Sequence, residues 1–268
     1  MSSVIADATL DGNAFPITEV PGQRATREQL SMFLTRYRFV RPYCADKDVL
    51  EIACGGGQGL GYLARVATSV TGGDIDERVL APVRARYRDR GNIDVRALDA
   101  HALPFAADSF DVVAILDAIY WMRDQRRCFQ EARRVLRRGG VLIVSTVNRH
   151  WAEFCPSPYA TTYLDAEMLV AAADREGMRS ELYAAFPAAA HGLKHQAIGV
   201  IRRAAVTLGV VPKSIKHKEM LKRVFFGRLT PIPDEVTDDM APYSAPQRVQ
   251  PAAVGDRFKL LYLVACRD

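Results

Sequence analysis

The chain has 268 residues, of which 49% are apolar and 25% are charged, and its formal net charge is +5. This length suits one large α/β domain or one domain with a sizeable insertion, and the composition is that of an ordinary soluble globular protein. The charge is too small to indicate a nucleic-acid-binding protein by itself, although it allows an anionic partner.

The five cysteines are scattered along the chain and never form a C-x-x-C pair. Such a pattern fits a reducing compartment and provides no metal-binding framework, so no metal site is predicted. The amino-terminal residues contain no basic region followed by an apolar stretch, and no apolar run approaches the roughly 20 residues of a membrane span. We therefore predict a cytoplasmic protein.

Residues 1–23 contain scattered glycines and prolines and show no periodicity. A helix is predicted from Thr26, because Leu30, Phe33, Leu34 and Tyr37 recur at helical spacing.

A strand, a glycine loop and a helix follow one another from Val49 to Val66. The strand carries an acid, Glu51, and the loop reads Cys54-Gly55-Gly56-Gly57-Gln58-Gly59. This order places backbone N–H groups at a helix amino terminus, where they can face a ligand. The spacing of the glycines does not match the dinucleotide fingerprint G-x-G-x-x-G, and no Lys-Ser/Thr pair follows as in a P-loop.

A second strand is predicted over residues 69–76, where it ends in acidic residues. A carboxylate at this strand end lies beside the glycine loop and can accept both hydroxyls of a ribose, whether the ligand is NAD or S-adenosylmethionine (SAM). Asp74 is the better candidate, since Asp76 could instead cap the next predicted helix, Glu77 to Asp89.

Residues 93–97 alternate like a third strand, and residues 108–116 give a turn followed by a fully apolar fourth strand. Between them lies D-A-x-x-L-P-F-x-x-x-S-F-D-V-V, which begins at Asp99. A helix is predicted over 123–138, ended by Gly139-Gly140 and followed by a fifth strand at 141–146. A further helix over 165–176, a sixth strand over 181–186 and a last strand over 258–265 complete the prediction.

Three of these passages together resemble class I SAM-dependent methyltransferases: the acid-x-x-Cys-Gly-x-Gly loop, the series from Asp99, and E-A-x-R-V-L-R-x-G-G-x-L. The resemblance covers about residues 30–186 and the last strand. It implies a Rossmann-like, doubly wound α/β fold with a seven-stranded, mainly parallel sheet and an antiparallel last strand. Ala53 departs from the pattern, because the family usually has a glycine there.

The resemblance also implies a cofactor site for SAM. Glu51 would hold the methionine amino end, the backbone at Ala53, Gly55 and Gly57 would face the cofactor, and Arg36 with Tyr37 could touch the methionine carboxylate. Residues of the next strand ends complete the implied cofactor site: Asp74 and Ile75 at the ribose, Asp99 and Ala100 at the adenine, and Asp117 at the tip of the fourth strand.

Candidate catalytic residues are His150, Asp117 and Tyr120, which lie near strand tips where a base could take a proton from an acceptor hydroxyl. His101 could do the same from the adenine loop. Asp117 and Tyr120 match the acid and the aromatic residue of the acid-Pro-Pro-aromatic sequence of nucleic-acid base methylases. Both prolines are absent, so a nucleic-acid substrate is disfavoured.

About seventy residues separate the sixth strand from the last strand, where a hairpin would need only a few. We predict a helical lid here, with a helix over 196–208 and a basic stretch over 213–226 that could meet an anionic or lipid-linked acceptor at a membrane surface. The predicted organisation is an amino-terminal extension (1–29), a SAM-binding core (30–187), a lid or acceptor-binding insertion (188–256) and a final core strand (257–268).

The predicted function is methyl transfer from SAM to an oxygen or nitrogen of a small molecule or sugar, in a polysaccharide or secondary-metabolite pathway. Two alternatives stay open: a catalytically silent partner subunit with the same fold, and an NAD-dependent oxidoreductase. The sequence does not indicate the oligomeric state.

Overall fold

The computed structural model describes residues 19–188 and 229–268. A central sheet carries the fold, with strand order β4-β3-β2-β5-β6-β10-β7-β9. The short strands β1 and β8 pair with each other outside this sheet. The strands are β1 (Arg24–Ala25), β2 (Asp48–Ile52), β3 (Ser69–Asp74), β4 (Ile93–Ala97), β5 (Phe110–Leu116), β6 (Leu136–Val147), β7 (Met178–Pro187), β8 (Thr230–Pro231), β9 (Gln247–Arg248) and β10 (Phe258–Arg267).

Five α-helices of the described residues flank the sheet. The first begins at Thr26, whose side chain accepts from the Gln29 N–H while the Gln29 side chain accepts from the Thr26 N–H. This reciprocal capping box explains why the helix begins at Thr26, as predicted. The helices are α1 (Arg27–Val40), α2 (Leu60–Leu63), α3 (Glu77–Tyr87), α4 (Gln125–Val135) and α5 (Ala166–Arg175).

The sheet is parallel from β4 through β6, and both of its faces are buried. In β2, Leu50 and Ile52 pack in one apolar cluster and Val49 packs in the cluster on the other face. β10 runs antiparallel between β6 and β7. The predicted α/β fold, mainly parallel with an antiparallel last strand, is therefore confirmed, and the two-residue β9 adds an eighth, marginal strand.

The predicted end of the helix at Gly139-Gly140 is wrong. Helix α4 ends at Val135, and the chain enters β6 at Leu136, which pairs with Phe110 of β5. The register shifts at this point, and Gly139 has φ +76°. The glycines therefore belong to an irregularity in the sheet, because strand pairing outweighs the helical spacing of the apolar residues there.

The described part of the insertion packs on the core as an extended segment. β8 pairs with β1, and the N–H of Val236 donates to the carbonyl of Gln58 in the glycine loop at 2.9 Å. The hydroxyl of Tyr62 donates to Asp238 at 2.6 Å. The predicted helix over 196–208 and the basic stretch over 213–226 lie outside the described residues, so the lid stays a prediction.

Within residues 19–188 and 229–268, no helix is long and apolar enough to cross a membrane.

Candidate functional site

A cleft opens where the carboxyl ends of the parallel strands meet, which is where open α/β sheets bind their ligands. It holds about 1230 Å³ including its open mouth, enough for a nucleoside-sized ligand and a second small molecule. Nine of the predicted site residues line it: Tyr37, Glu51, Ala53, Gly55, Asp74, Ile75, Asp99, Ala100 and Asp117.

The glycine loop begins with two residues in the left-handed region of backbone space, Ala53 with φ +57° and Gly55 with φ +52°. A side chain is unfavourable in this conformation, which gives a physical reason for a glycine at the position of Ala53. Gly57, with φ +66°, does not line the cleft. A Cβ built on Gly57 would overlap Cγ1 of Val83, so this glycine lets the loop pack against α3.

Glu51 is a buried carboxylate at the base of the cleft. Its Oε1 accepts from the Tyr37 hydroxyl at 2.8 Å, whereas no hydrogen bond from the described residues reaches Oε2. Burial raises the pKa of Glu51 to about 7, although the Tyr37 hydroxyl and the positive charge of Arg36 oppose the shift. One oxygen of this acid therefore lacks a hydrogen-bond donor among the described residues, and nearby positive charge does not offset the effect of burial.

Asp74 closes β3 and is held by the backbone. Its Oδ2 accepts from the Gly55 N–H at 3.0 Å and its Oδ1 from the Asp76 N–H at 3.0 Å. Burial raises the pKa of Asp74. Asp76 caps α3 by accepting from the Arg78 N–H at 3.0 Å. Asp76 therefore takes the helix-capping role, and Asp74 is fixed against the glycine loop.

Asp99 and His101 form a pair in the loop after β4. Oδ1 of Asp99 accepts from the His101 N–H at 2.9 Å and lies 2.6 Å from Nδ1 of the imidazole. The backbone N–H of His101 is the main cause that lowers the pKa of Asp99. Because Nε2 of His101 accepts from the Asp124 N–H at 3.2 Å, the proton of the neutral ring lies on Nδ1. His101 lines the cleft, but both of its ring nitrogens already have partners.

Arg36 and Asp117, which both line the cleft, form a buried ion pair. Nη1 of Arg36 lies 3.2 Å from Oδ2 of Asp117, and Nη2 lies 2.6 Å from Oε2 of Glu19. Asp117 has φ +50°, and it is fixed further by the Ser145 hydroxyl, which donates to Oδ1 at 3.1 Å. A non-glycine residue held in this strained conformation marks a candidate functional position.

Two predicted catalytic residues do not line the cleft. The ring of Tyr120 stacks on that of Tyr163 at 4.6 Å between centroids, and burial raises the pKa of Tyr120 well above its usual value. The side chain of His150 is 55% exposed, and its Nε2 lies 3.5 Å from Oδ2 of Asp165.

The sequence analysis missed Glu19 and Gln58, which also line the cleft. Glu19 lies in the stretch without periodicity, so no sequence signal marks it. Gln58 belongs to the predicted glycine loop, but no role was predicted for its side chain. It is buried, and its Nε2 donates to the carbonyl of Glu19 at 2.9 Å.

Comparison with known proteins identifies the family. Residues 50–144, which hold the glycine loop and the strands around it, match a methyltransferase domain family. A probable SAM-dependent methyltransferase of Mycolicibacterium smegmatis is 35% identical over 178 residues, which cover 63% of this chain and 67% of that protein. A probable SAM-dependent methyltransferase of Mycobacterium tuberculosis is 38% identical over 139 residues, covering 50% of this chain and 49% of that protein.

Solved structures agree on the fold. A SAM-dependent methyltransferase of Thermotoga maritima, described as a possible histamine N-methyltransferase, superposes with a TM-score of 0.58 at 16% identity over 90% of this chain and 91% of its own. The cyclase SpnF superposes with a TM-score of 0.57 at 19% identity over 94% of this chain and 89% of its own. The cleft and the curated relatives together show that this chain belongs to the class I SAM-dependent methyltransferases, with SAM rather than NAD as its cofactor.

Proposed function

We propose that the protein transfers the methyl group of SAM to an oxygen or nitrogen of a small molecule or sugar. The observation that carries the proposal is that Glu51, Asp74, Asp99 and Asp117 all line one cleft, with Asp117 beside a buried arginine. The same fold supports a cyclase, so the fold alone does not fix the reaction.

The cleft residues fit SAM. Glu51 is buried with one oxygen that receives no hydrogen bond from the described residues, so it suits the methionine ammonium. Asp74 is an acceptor at a strand end that suits the ribose hydroxyls, and Asp99 suits the adenine amine. Arg36 suits the methionine carboxylate, because a guanidinium matches a carboxylate with two N–H groups.

Bound SAM supplies an electrophilic methyl carbon on a positively charged sulfur. The protein's contribution is then to align the acceptor with the methyl group and to exclude water. The aromatic residues Tyr120, Trp121 and Tyr163 lie close together just past the tip of β5, and they provide an apolar surface beside Asp117. We place the acceptor against this surface.

Asp117 is the proposed proton acceptor when the substrate is a hydroxyl. It lies in the cleft and its orientation is fixed by Arg36 and Ser145, as a positioned base requires. Tyr120 keeps its proton at neutral pH, because burial raises its pKa, so its proposed role is to donate a hydrogen bond to the acceptor. His150 takes no part in this proposal, since its side chain is 55% exposed and lies beside Asp165.

A curated relative favours an oxygen as the methylated atom. A ubiquinone biosynthesis O-methyltransferase of Ruegeria pomeroyi is 34% identical over 131 residues, covering 48% of this chain and 50% of that protein. The aligned part is half of that relative, so the likeness favours hydroxyl chemistry without naming the substrate. The basic stretch over 213–226 lies outside the described residues. We include in the proposal that it forms part of a lid and contacts a lipid-linked acceptor.

The test has two parts. Calorimetry with S-adenosylhomocysteine, the demethylated product, should give micromolar or tighter binding. Incubation with methyl-labelled SAM and a panel of phenols, sugars and amines should label a hydroxyl compound, and Asp117→Asn should lower kcat at least about 100-fold, as loss of a general base does. Glu28→Gln, an exposed substitution on α1, is the control and should not change kcat. Binding with no labelling of any acceptor would instead favour the silent partner subunit.

A further inference from the structure

Glu19 is paired with Arg36, the cleft residue that suits a ligand carboxylate. Both of its carboxylate oxygens contact Nη2 of Arg36, at 2.6 and 2.8 Å. The guanidinium is 5% exposed, and a charge so buried requires a counterion in every state of the protein.

The two carboxylates that neutralise Arg36 differ in how far they are exposed. The side chain of Asp117 is 12% exposed and is fixed by Ser145 as well, whereas the side chain of Glu19 is 35% exposed at the cleft. The backbone of Glu19 is anchored by Gln58, which donates to its carbonyl at 2.9 Å. The Glu19 side chain can therefore leave Arg36 while the backbone around it stays in place.

We propose that Glu19 neutralises Arg36 in the free protein. When the cofactor binds, its amino-acid carboxylate replaces the Glu19 carboxylate on the Arg36 guanidinium. This inference rests on the proposed function, in which Arg36 receives that carboxylate. The exchange conserves the number of ion pairs on the buried guanidinium, so Arg36 remains compensated before and after binding. It also makes Glu19 a competitor that lowers the apparent affinity for ligands carrying a carboxylate.

The competition predicts a selective effect of Glu19→Gln. Loss of the competing charge should tighten S-adenosylhomocysteine binding by about fivefold, which corresponds to the strength of one partly exposed ion pair. Binding of 5′-methylthioadenosine should stay within about twofold, because this compound has the same nucleoside and lacks the amino acid that reaches Arg36. Glu28→Gln is the matched control and should alter neither affinity.

The experiment is calorimetric titration of the full chain and both variants with the two compounds, with melting curves to verify that each variant is folded. If Glu19→Gln does not fold, Glu19→Asp serves instead, since the shorter side chain keeps the charge but reaches Arg36 less well, and it should tighten S-adenosylhomocysteine binding in the same selective way. Unchanged or weaker S-adenosylhomocysteine binding by the folded variant, or equal tightening for both compounds, would overturn the proposal. Failure of the unaltered protein to bind S-adenosylhomocysteine would overturn the proposed function instead.

Discussion

Ionisation of Glu51 should control cofactor affinity near neutral pH. Burial raises the pKa of this acid to about 7, from an ordinary value of 4.5, and its Oε2 is the atom assigned to the ligand ammonium. An ammonium binds the ionised carboxylate and not the neutral acid. Binding should therefore strengthen as pH rises through 7 and level off above it.

The size of the effect follows from the titration curve. A group with a pKa of 7 is ionised to about 9% at pH 6 and about 91% at pH 8, so the Kd for S-adenosylhomocysteine should fall by about tenfold between these values. Stability of the free protein should change in the opposite direction. Because the folded state holds this proton more tightly than the unfolded state, the free energy of unfolding should decrease as pH rises from 4.5 through 7.

Calorimetry from pH 6 to pH 8 measures the first effect and urea unfolding of the free protein measures the second. Glu51→Gln should bind more weakly and lose both dependences. His101→Gln is the control, because it removes an imidazole from the same cleft and leaves Glu51 in place. A Kd that is flat across this range, or a slope that persists in Glu51→Gln and vanishes in His101→Gln, would refute the reasoning.

Other substitutions test the cleft and its scaffold. Asp74→Asn and Asp99→Asn should each weaken S-adenosylhomocysteine binding about tenfold in calorimetry, the loss expected for a charged hydrogen bond, and unchanged binding would contradict their roles. Ala53→Gly should raise the free energy of unfolding by up to about 1 kcal/mol, because left-handed backbone disfavours alanine, and a lower melting temperature would argue otherwise. Gly140→Ala should destabilise by about 1–3 kcal/mol in urea unfolding, because its Cβ would lie 2.8 Å from a carbonyl oxygen across the sheet, whereas Gly91→Ala, with open space around it, should be neutral.

Local sequence patterns predicted most of the core. The capping box at Thr26, the strand that carries Glu51, the strand that ends at Asp74 and the apolar run of β5 are each visible in a short stretch of chain. Such features depend on neighbouring residues, because strand alternation, helix capping and glycine loops are local properties. The resemblance to a family added the mainly parallel sheet with an antiparallel last strand, and the structure confirmed it.

Contacts between distant residues decided what local patterns could not. The end of α4 was wrong in the prediction because pairing of Leu136 with Phe110 converts the expected last helical turn into strand. His150 looked like a base near a strand tip, yet it lies outside the cleft lining and pairs with Asp165.

The sequence by itself determined the acids at the strand ends and the glycine loop, because each lies inside a short pattern whose geometry is fixed by the adjoining strand. Only the tertiary structure brought Glu19 and Asp117 to the same guanidinium. These two acids are 98 positions apart in the numbering, and no periodicity links them. Their placement follows from the packing of α1 across the carboxyl ends of the strands, which buries Arg36 and requires counterions from both sides.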